Sequence, residues 1–396
     1  MLTSVEAGAE PVQGSVHPCL MISLVIPTYN EAPVVEITLR RATEVLKTAG
    51  EPFELIVVDD DSPDGTAAIV EGLAAELPVR VICRKGERGL ATAVVRGWGA
   101  ARGDVVGVMD ADLQHPPEVV CQLIKALRAE DADIAVASRY LPGGGTEGWS
   151  RFRLIVSWTG MRLGTVALPW TLGAVTDSGS GLFLVRKQAI EGVDLKPRGI
   201  KMLLEVLAKA RYRKIVEVPY VFRGRTLGVS NVGLRQGVEY LKSLLRMGRD
   251  SGELKAWILY ALSGLVGAMV YIAALLVLTE RAEWPLLVVI LLSIQIALVV
   301  EFVADDLVSF AGRREGGVAT RHFRERIMHY EGGLLPGALL NALVTYLACR
   351  LGLDLWAAAL LGVIVALPWN FLVAAPRVWR VWRTMPPRVV AAENKV

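Results

Sequence analysis

The sequence predicts a doubly wound, mainly parallel α/β sheet followed by an α-helical transmembrane domain of four helices in two hairpins. Three observations predict it. Up to about Arg249, short apolar runs of strand length alternate with stretches of helical periodicity, the pattern of βαβ units. Several of those runs end in polar clusters, which places the clusters at one edge of such a sheet. From Ala256 onward the chain turns to long apolar runs with few charges, each near the length that crosses a bilayer.

Residues 1–20 lack a basic start joined to an apolar core, so they read as a disordered leader and not a cleaved signal peptide. The α/β domain is expected over 21–231. Residues 22–27 form a buried strand, with Thr28-Tyr29-Asn30-Glu31 as its loop and a helix over 32–48 closed at Gly50. Residues 53–58 form a second strand ending in Asp59-Asp60-Asp61, and Ser62-Pro63-Asp64-Gly65 is turn chemistry before a helix over 66–77. A strand over 79–83 and a helix over 88–101 follow. The apolar run 105–109 is the central strand, and Pro116-Pro117 opens the next helix, where proline suits the first turn. A strand over 133–137 leads into Ser138-Arg139-Tyr140. Gly143-Gly144-Gly145 reads as a mobile linker or lid. A helix over 151–168 carries Arg153 and Ser157 one turn apart, on one face. A strand over 182–185, a helix over 200–210 beginning near Lys201, and a strand over 215–222 complete the sheet. Residues 223–231 are a basic, glycine-containing loop.

The central strand ends on two acids one residue apart, Asp110 and Asp112, with Gln114 next. Extended backbone sends residues i and i+2 the same way, so the two carboxylates are expected to converge if that geometry continues past the strand. Two carboxylates and an amide form a hard, all-oxygen site suited to Mg²⁺ or Mn²⁺ with substrate phosphates. Neighbouring His115 reads as a packing residue or a support for the ligands, not a base. No strand is followed by G-x-G-x-x-G, and no phosphate-binding P-loop occurs, which argues against a dinucleotide-dependent dehydrogenase or a P-loop NTPase. A net charge of +3 without a basic-aromatic array argues against nucleic acid. Four cysteines without paired spacing argue against a disulfide framework or a zinc site.

Residues 232–254 are expected to lie at a membrane surface. Leu234, Val238, Leu241 and Leu245 share one helical face, while Arg235, Lys242, Arg246 and Arg249 fall mostly on the other. Within 255–376 the spans are expected at 256–278, 285–303, 334–349 and 355–373. The loop between the hairpins carries Arg313, Arg314, Arg321, Arg324 and Arg326, and the tail, 377–396, carries Arg377, Arg380, Arg383 and Arg388. The positive-inside rule then puts the α/β domain and both termini in the cytosol.

Pro27-Thr28-Tyr29-Asn30-Glu31, Asp59-Asp60-Asp61-Ser62-Pro63-Asp64-Gly65-Thr66, Arg88-Gly89-Leu90 and the run Met109 to Glu118 together resemble family 2 glycosyltransferases. They look like the polyprenyl-phosphate mannose branch, the dolichol-phosphate mannose synthases, over about 23–231. The apolar half resembles the GtrA-like membrane domain fused to some prokaryotic members. The resemblance implies a GT-A fold, a GDP-mannose donor and a polyprenyl (dolichyl) phosphate acceptor. It gives Pro27, Tyr29, Glu31, Val58 and Asp60 to the nucleoside, and Asp110, Asp112 and Gln114 to the metal, with Ala111 against the donor. It gives Arg139, Arg153, Ser157, Lys201 and Arg225 to the phosphates of donor and acceptor. Where the family often ends its basic loop in Ser-Lys, this chain has Ser230-Asn231, so a phosphate-binding cation is missing there or comes from elsewhere. Two other readings stand beside it: a UDP-glucose-type polyprenyl-phosphate transferase, and a protein that moves or scaffolds a lipid-linked sugar with a sugar-nucleotide-binding module.

A phosphate monoester has a second pKa of about 6. A lipid phosphate is therefore mostly dianionic at neutral pH and attacks without a general base. That fits a site rich in arginine and poor in histidine.

Overall fold

The structure is a computed structural model; it describes residues 20–173, 175–195, 201–224, 234–309, 323–371 and 388–391. The α/β half runs β1 (Ile22–Thr28), α1 (Val35–Ala49), β2 (Phe53–Asp59), α2 (Thr66–Leu73), β3 (Val79–Cys83), α3 (Leu90–Ala100), β4 (Val105–Val108), α4 (Glu118–Ala129), β5 (Ile134–Ser138), β6 (Gly145–Thr146), α5 (Arg151–Ala167), β7 (Phe183–Arg186), α6 (Lys187–Ile190), α7 (Met202–Lys209), β8 (Lys214–Pro219) and β9 (Val221–Phe222). The membrane half contains α8 (Leu234–Asp250), α9 (Glu253–Arg281), α10 (Leu286–Ala304), a π-helical turn (Asp305–Ser309), α11 (Phe323–Arg350) and α12 (Leu355–Trp369), and β10 (Arg388–Ala391) follows.

The main sheet has the order β10-β8-β5-β7-β4-β1-β2-β3. All its pairings are parallel except those of β7, which runs antiparallel to β4 and β5. The expected doubly wound, mainly parallel α/β class is what the chain adopts. Its central strands read as continuous apolar runs because helices cover both faces. Leu24, Ile26, Leu55 and Val57 point into one buried layer, and Val25, Ile56, Val58 and Val106 into the other. Gly107 is fixed by close approach: a Cβ there would lie 2.5 Å from a Leu184 methyl across the β4–β7 pairing.

Among the described residues three helices, spanning Glu253–Arg281, Leu286–Val308 and Arg324–Arg350, are long and apolar enough to cross a membrane. The fourth apolar run differs from the expectation. Among the described residues its α-helix is shorter, Leu355–Trp369. The helices pack as the pairs α9 with α10 and α11 with α12. One feature was not legible in the sequence: β10, in the basic tail, pairs parallel to β8, with Arg388 opposite Lys214. The chain therefore returns from the membrane half to the edge of the catalytic sheet.

The two halves are joined at the start of α9. The buried Glu253 carboxylate accepts the backbone N–H groups of Trp170 and Thr171, both at 3.1 Å, and the Thr171 hydroxyl. Trp257 donates its indole N–H to the carbonyl of Ala167 at 2.9 Å. The last turn of α5 is thus fastened to the first turn of α9.

Candidate active site

β1, β2, β4 and β5 run in one direction, so Glu31, the 59–61 acids, Asp110, Asp112 and Arg139 gather at one edge of the sheet. The acids of β4 meet by a different route from the one expected. The strand stops at Val108, and residues 111–115 form a turn in which Leu113 has φ of 61°. That left-handed residue reverses the chain locally. Asp110, Asp112 and His115 offer ligand atoms all within 4.8 Å of one another. A straight strand could not have recruited His115, which lies three residues past Asp112.

His115 is 2% exposed and stacks on Tyr220 with 5.8 Å between ring centroids. Burial, then the nearby Arg139 cation, pushes its pKa down to about 3. The ring is neutral at physiological pH. Its Nδ1 lies 3.3 Å from Asp110 Oδ2 and has no hydrogen-bond partner. An orphaned ring nitrogen beside two carboxylates is a donor set that a divalent cation satisfies. Gly181 closes the other side, where a Cβ would lie 3.1 Å from Asp110 Oδ2 and 3.0 Å from the His115 ring. Gln114 gives its Nε2 hydrogen to the Arg223 carbonyl at 3.1 Å, which leaves its amide oxygen as the atom able to bind a metal.

Arg139 sits behind this cluster. Its Nε and Nη2 bind Asp177 bidentately at 2.7 and 2.8 Å. Burial lowers the guanidinium pKa, but the Asp177 hydrogen bonds and charge outweigh it and the net shift is upward. The guanidinium lies between the rings of Tyr140, Trp149 and Phe222, each within 5.7 Å. Lys201, just before α7, lies over the Tyr240 ring at 4.6 Å. Burial, then Arg139, lowers its pKa. These two cations share the strip behind the acids.

On α5 most side chains face outward, and Arg153 and Ser157 are the half-buried exceptions near its start. Arg153 lies 4.2 Å over the Trp149 ring, and Ser157 Oγ is 2.9 Å from the Tyr140 hydroxyl. The opposite face exposes Phe152 at 76%, Ile155 at 62% and Trp158 at 52%. On α8, Leu244 and Met247 join the core while Val238, Leu241 and Leu245 are exposed. The apolar stripe of α8 is therefore not its core-packing face.

At the β1–β2 end, Tyr29 carries the Arg88 guanidinium 4.4 Å above its ring, and the Glu31 N–H donates to Thr66 Oγ1 at 3.1 Å. Pro27 pairs with Val58 in the β1–β2 register, and the Val58 side chain is fully buried. Asp60 is bound on one oxygen by Arg84 Nε and on the other by the Gly89 N–H, both at 2.8 Å. Ala111 is 3% exposed, and its carbonyl accepts from Thr38 at 2.6 Å. Arg225 and Asn231 lie outside the described residues. Sequence reasoning missed Asp177, Trp149, Tyr220 and Tyr240. The usable signal was the small, polar run Asp177-Ser178-Gly179-Ser180-Gly181 before β7.

Glycosyl transferase family 2 matches residues 23–193, and the GtrA/DPMS transmembrane domain matches residues 259–379. The dolichol-phosphate mannosyltransferase of Pyrococcus furiosus is 35% identical over 91% of this chain and 99% of its own length. The chain belongs to the family 2 glycosyltransferases of the dolichol-phosphate mannosyltransferase type. The undecaprenyl-phosphate mannosyltransferase of Micrococcus luteus is 36% identical, over 54% of this chain and 88% of its own. Among solved structures, glucosyl-3-phosphoglycerate synthase from Mycobacterium tuberculosis aligns with a TM-score of 0.43 and 20% identity, over 59% of this chain and 80% of the other. The glycosyltransferase accordingly carries a catalytic α/β half and a membrane half.

Proposed function

We propose that the chain transfers mannose from GDP-mannose to a polyprenyl (dolichyl) phosphate at the cytosolic face of the membrane, inverting the anomeric carbon. The observation that carries this reading is the double character of α5. Its inner face sets Arg153 over Trp149 and Ser157 against the Tyr140 hydroxyl, the two rings that flank Arg139, while its outer face exposes Phe152, Ile155 and Trp158. An acceptor with a phosphate head and a hydrocarbon tail fits both faces at once. The names of the relatives support the same substrate pair of mannose and polyprenyl phosphate.

Arg139, clamped by Asp177, and Lys201 neutralise phosphates of the donor. Arg153, held over the Trp149 ring, grips the acceptor phosphate with a planar fork. Because the acceptor is already dianionic, the neutral His115 supports the acidic cluster and takes no proton. Mg²⁺ or Mn²⁺, held by Asp110, Asp112 and Gln114 beside His115, would stabilise charge on the leaving nucleoside diphosphate. Burial of the cationic strip strengthens each phosphate contact relative to water. Arg313, Arg314 and Arg321 between the membrane hairpins support the cytosolic orientation; Arg324 and Arg326, expected in that loop, lie in α11, where Arg326 pairs with Asp306.

The deciding experiment incubates the purified chain with undecaprenyl or dolichyl phosphate and GDP-mannose, UDP-glucose or UDP-N-acetylglucosamine in turn. Lipid-linked mannose from GDP-mannose is expected. Product from a UDP-sugar alone replaces the donor assignment. No transfer from any donor, together with lipid-sugar translocation in vesicles, overturns the enzymatic reading.

A further inference from the structure

At the junction of α8 and α9 the chain turns through Gly252, whose φ is 77°. Inside this crook is a cavity of about 740 Å³, lined by Glu239, Lys242, Ser243, Leu245, Arg246 and Arg249 of α8 and Leu254 of α9. Lys242, Arg246 and Arg249 are spaced i, i+4, i+7, which stacks three cations along one side of the helix. Among the described residues, no acid pairs with Lys242 or Arg246, and Arg249 has only the exposed Asp250 at 3.6 Å. The crook is therefore cationic, with Glu239 its one acidic lining residue.

A second observation says what kind of molecule fits. Leu254 begins a line of outward apolar residues on α9: Ile258, Leu262, Leu265 and Met269 are each more than half exposed. Their spacing of three or four residues makes one continuous strip running from the cavity along a membrane-spanning helix. Leu245, at 61% exposure, and Leu241 extend the apolar surface along α8. A small anion matches only the cations, and a neutral hydrocarbon only the strip. A molecule with an anionic head and long alkyl chains matches both.

We infer that the α8–α9 crook binds the head group of an anionic glycerophospholipid, with its acyl chains lying along α9. The site shares no lining residue with the acid cluster after β4 or with α5, and it holds a bilayer lipid in place without transferring anything. Cations near a membrane surface each favour anionic lipid, and their effects accumulate. A bound phospholipid here would fix the depth and tilt of α8, whose Leu244 and Met247 are part of the catalytic core.

The test titrates the full chain in detergent with dioleoylphosphatidylglycerol or dioleoylphosphatidylcholine and counts retained lipid by native mass spectrometry. Saturable retention of phosphatidylglycerol over phosphatidylcholine is expected. Joint replacement of Lys242→Gln, Arg246→Gln and Arg249→Gln should weaken it by on the order of a hundredfold. Joint replacement of the exposed catalytic-domain cations Lys125→Gln, Arg211→Gln and Arg213→Gln should leave it unchanged. Arg246→Lys, which keeps the charge, should retain most of the binding and guards against a misfolded triple variant. Equal retention of both lipids, an unaffected triple variant, or an equal loss in the control variant overturns the site. Displacement by millimolar inorganic phosphate overturns the need for a lipid. Displacement by equimolar undecaprenyl phosphate reassigns the crook to the acceptor's path. Because retention is read without turnover, the result is independent of the reaction proposed above.

Discussion

Removing the Asp177 carboxylate tests whether Arg139 is a catalytic cation or only a piece of the scaffold. The two side chains are 0% and 10% exposed, and the carboxylate also accepts the Arg139 backbone N–H at 3.2 Å. Asp177→Asn leaves a buried guanidinium without its counter-charge. Breaking one side of a buried pair costs roughly 3–5 kcal/mol, and the retained amide oxygen places this change near the lower end. Replacing both partners, Arg139→Met with Asp177→Leu, removes the unpaired charge, so stability should return to within about 1 kcal/mol of the parent. Activity should not return. A charge-assisted contact to a phosphate contributes about 1.5–3 kcal/mol, so transfer in the double variant should stay roughly ten- to hundredfold down. Denaturation followed by tryptophan fluorescence reports stability, and product lipid reports transfer. A double variant that is both stable and fully active would refute the phosphate role, and an Asp177→Asn protein as stable as the parent would refute the buried ion pair.

Asp112→Ala should fold normally and lose metal-dependent transfer, with the rate falling more than donor affinity because the lost stabilisation appears in the transition state; near-normal turnover with added Mg²⁺ or Mn²⁺ removes Asp112 from the site. Arg153→Ala should raise the apparent KM for lipid phosphate about ten- to hundredfold with donor binding unchanged by calorimetry, and Arg153→Lys should recover part; a weakened donor with unchanged lipid dependence transfers the acceptor role elsewhere. Lys201, lowered by burial and then by Arg139, loses its proton at lower pH than an ordinary lysine. The rate should therefore decline on the alkaline side as that cation is lost, and Lys201→Arg should move the decline upward; an unmoved profile excludes Lys201. The same depressed pKa makes the neutral side chain the one folding favours, so its stability contribution is present above the ordinary lysine pKa and lost as pH falls through the folded one. Lys201→Met should accordingly raise the unfolding midpoint at neutral pH while impairing transfer. Finally, Gly317→Cys in intact cells should resist an impermeant thiol reagent, and strong labelling from outside reverses the proposed topology.

The α/β class, the separation into two halves and the presence of acids after the central strand were legible because each is written in local pattern. Burial on both sheet faces leaves uninterrupted apolar runs, and a bilayer leaves longer ones. Asp110, Asp112 and Gln114 could be named as a group because they are near neighbours in sequence, and Arg139 because it follows a strand. What closes the site is not local. Asp177 reaches Arg139 across 38 residues, Tyr240 supports Lys201 across a helix pair, and His115 joins the acids only because Leu113 adopts a left-handed backbone that no periodicity announces. The fastening of α5 to α9 through Glu253, the outward apolar faces of α5 and α8, and the return of β10 to the catalytic sheet belong to the same class. Sequence pattern records which face of an element is apolar; whether that face meets the core or the bilayer is decided only when the elements pack.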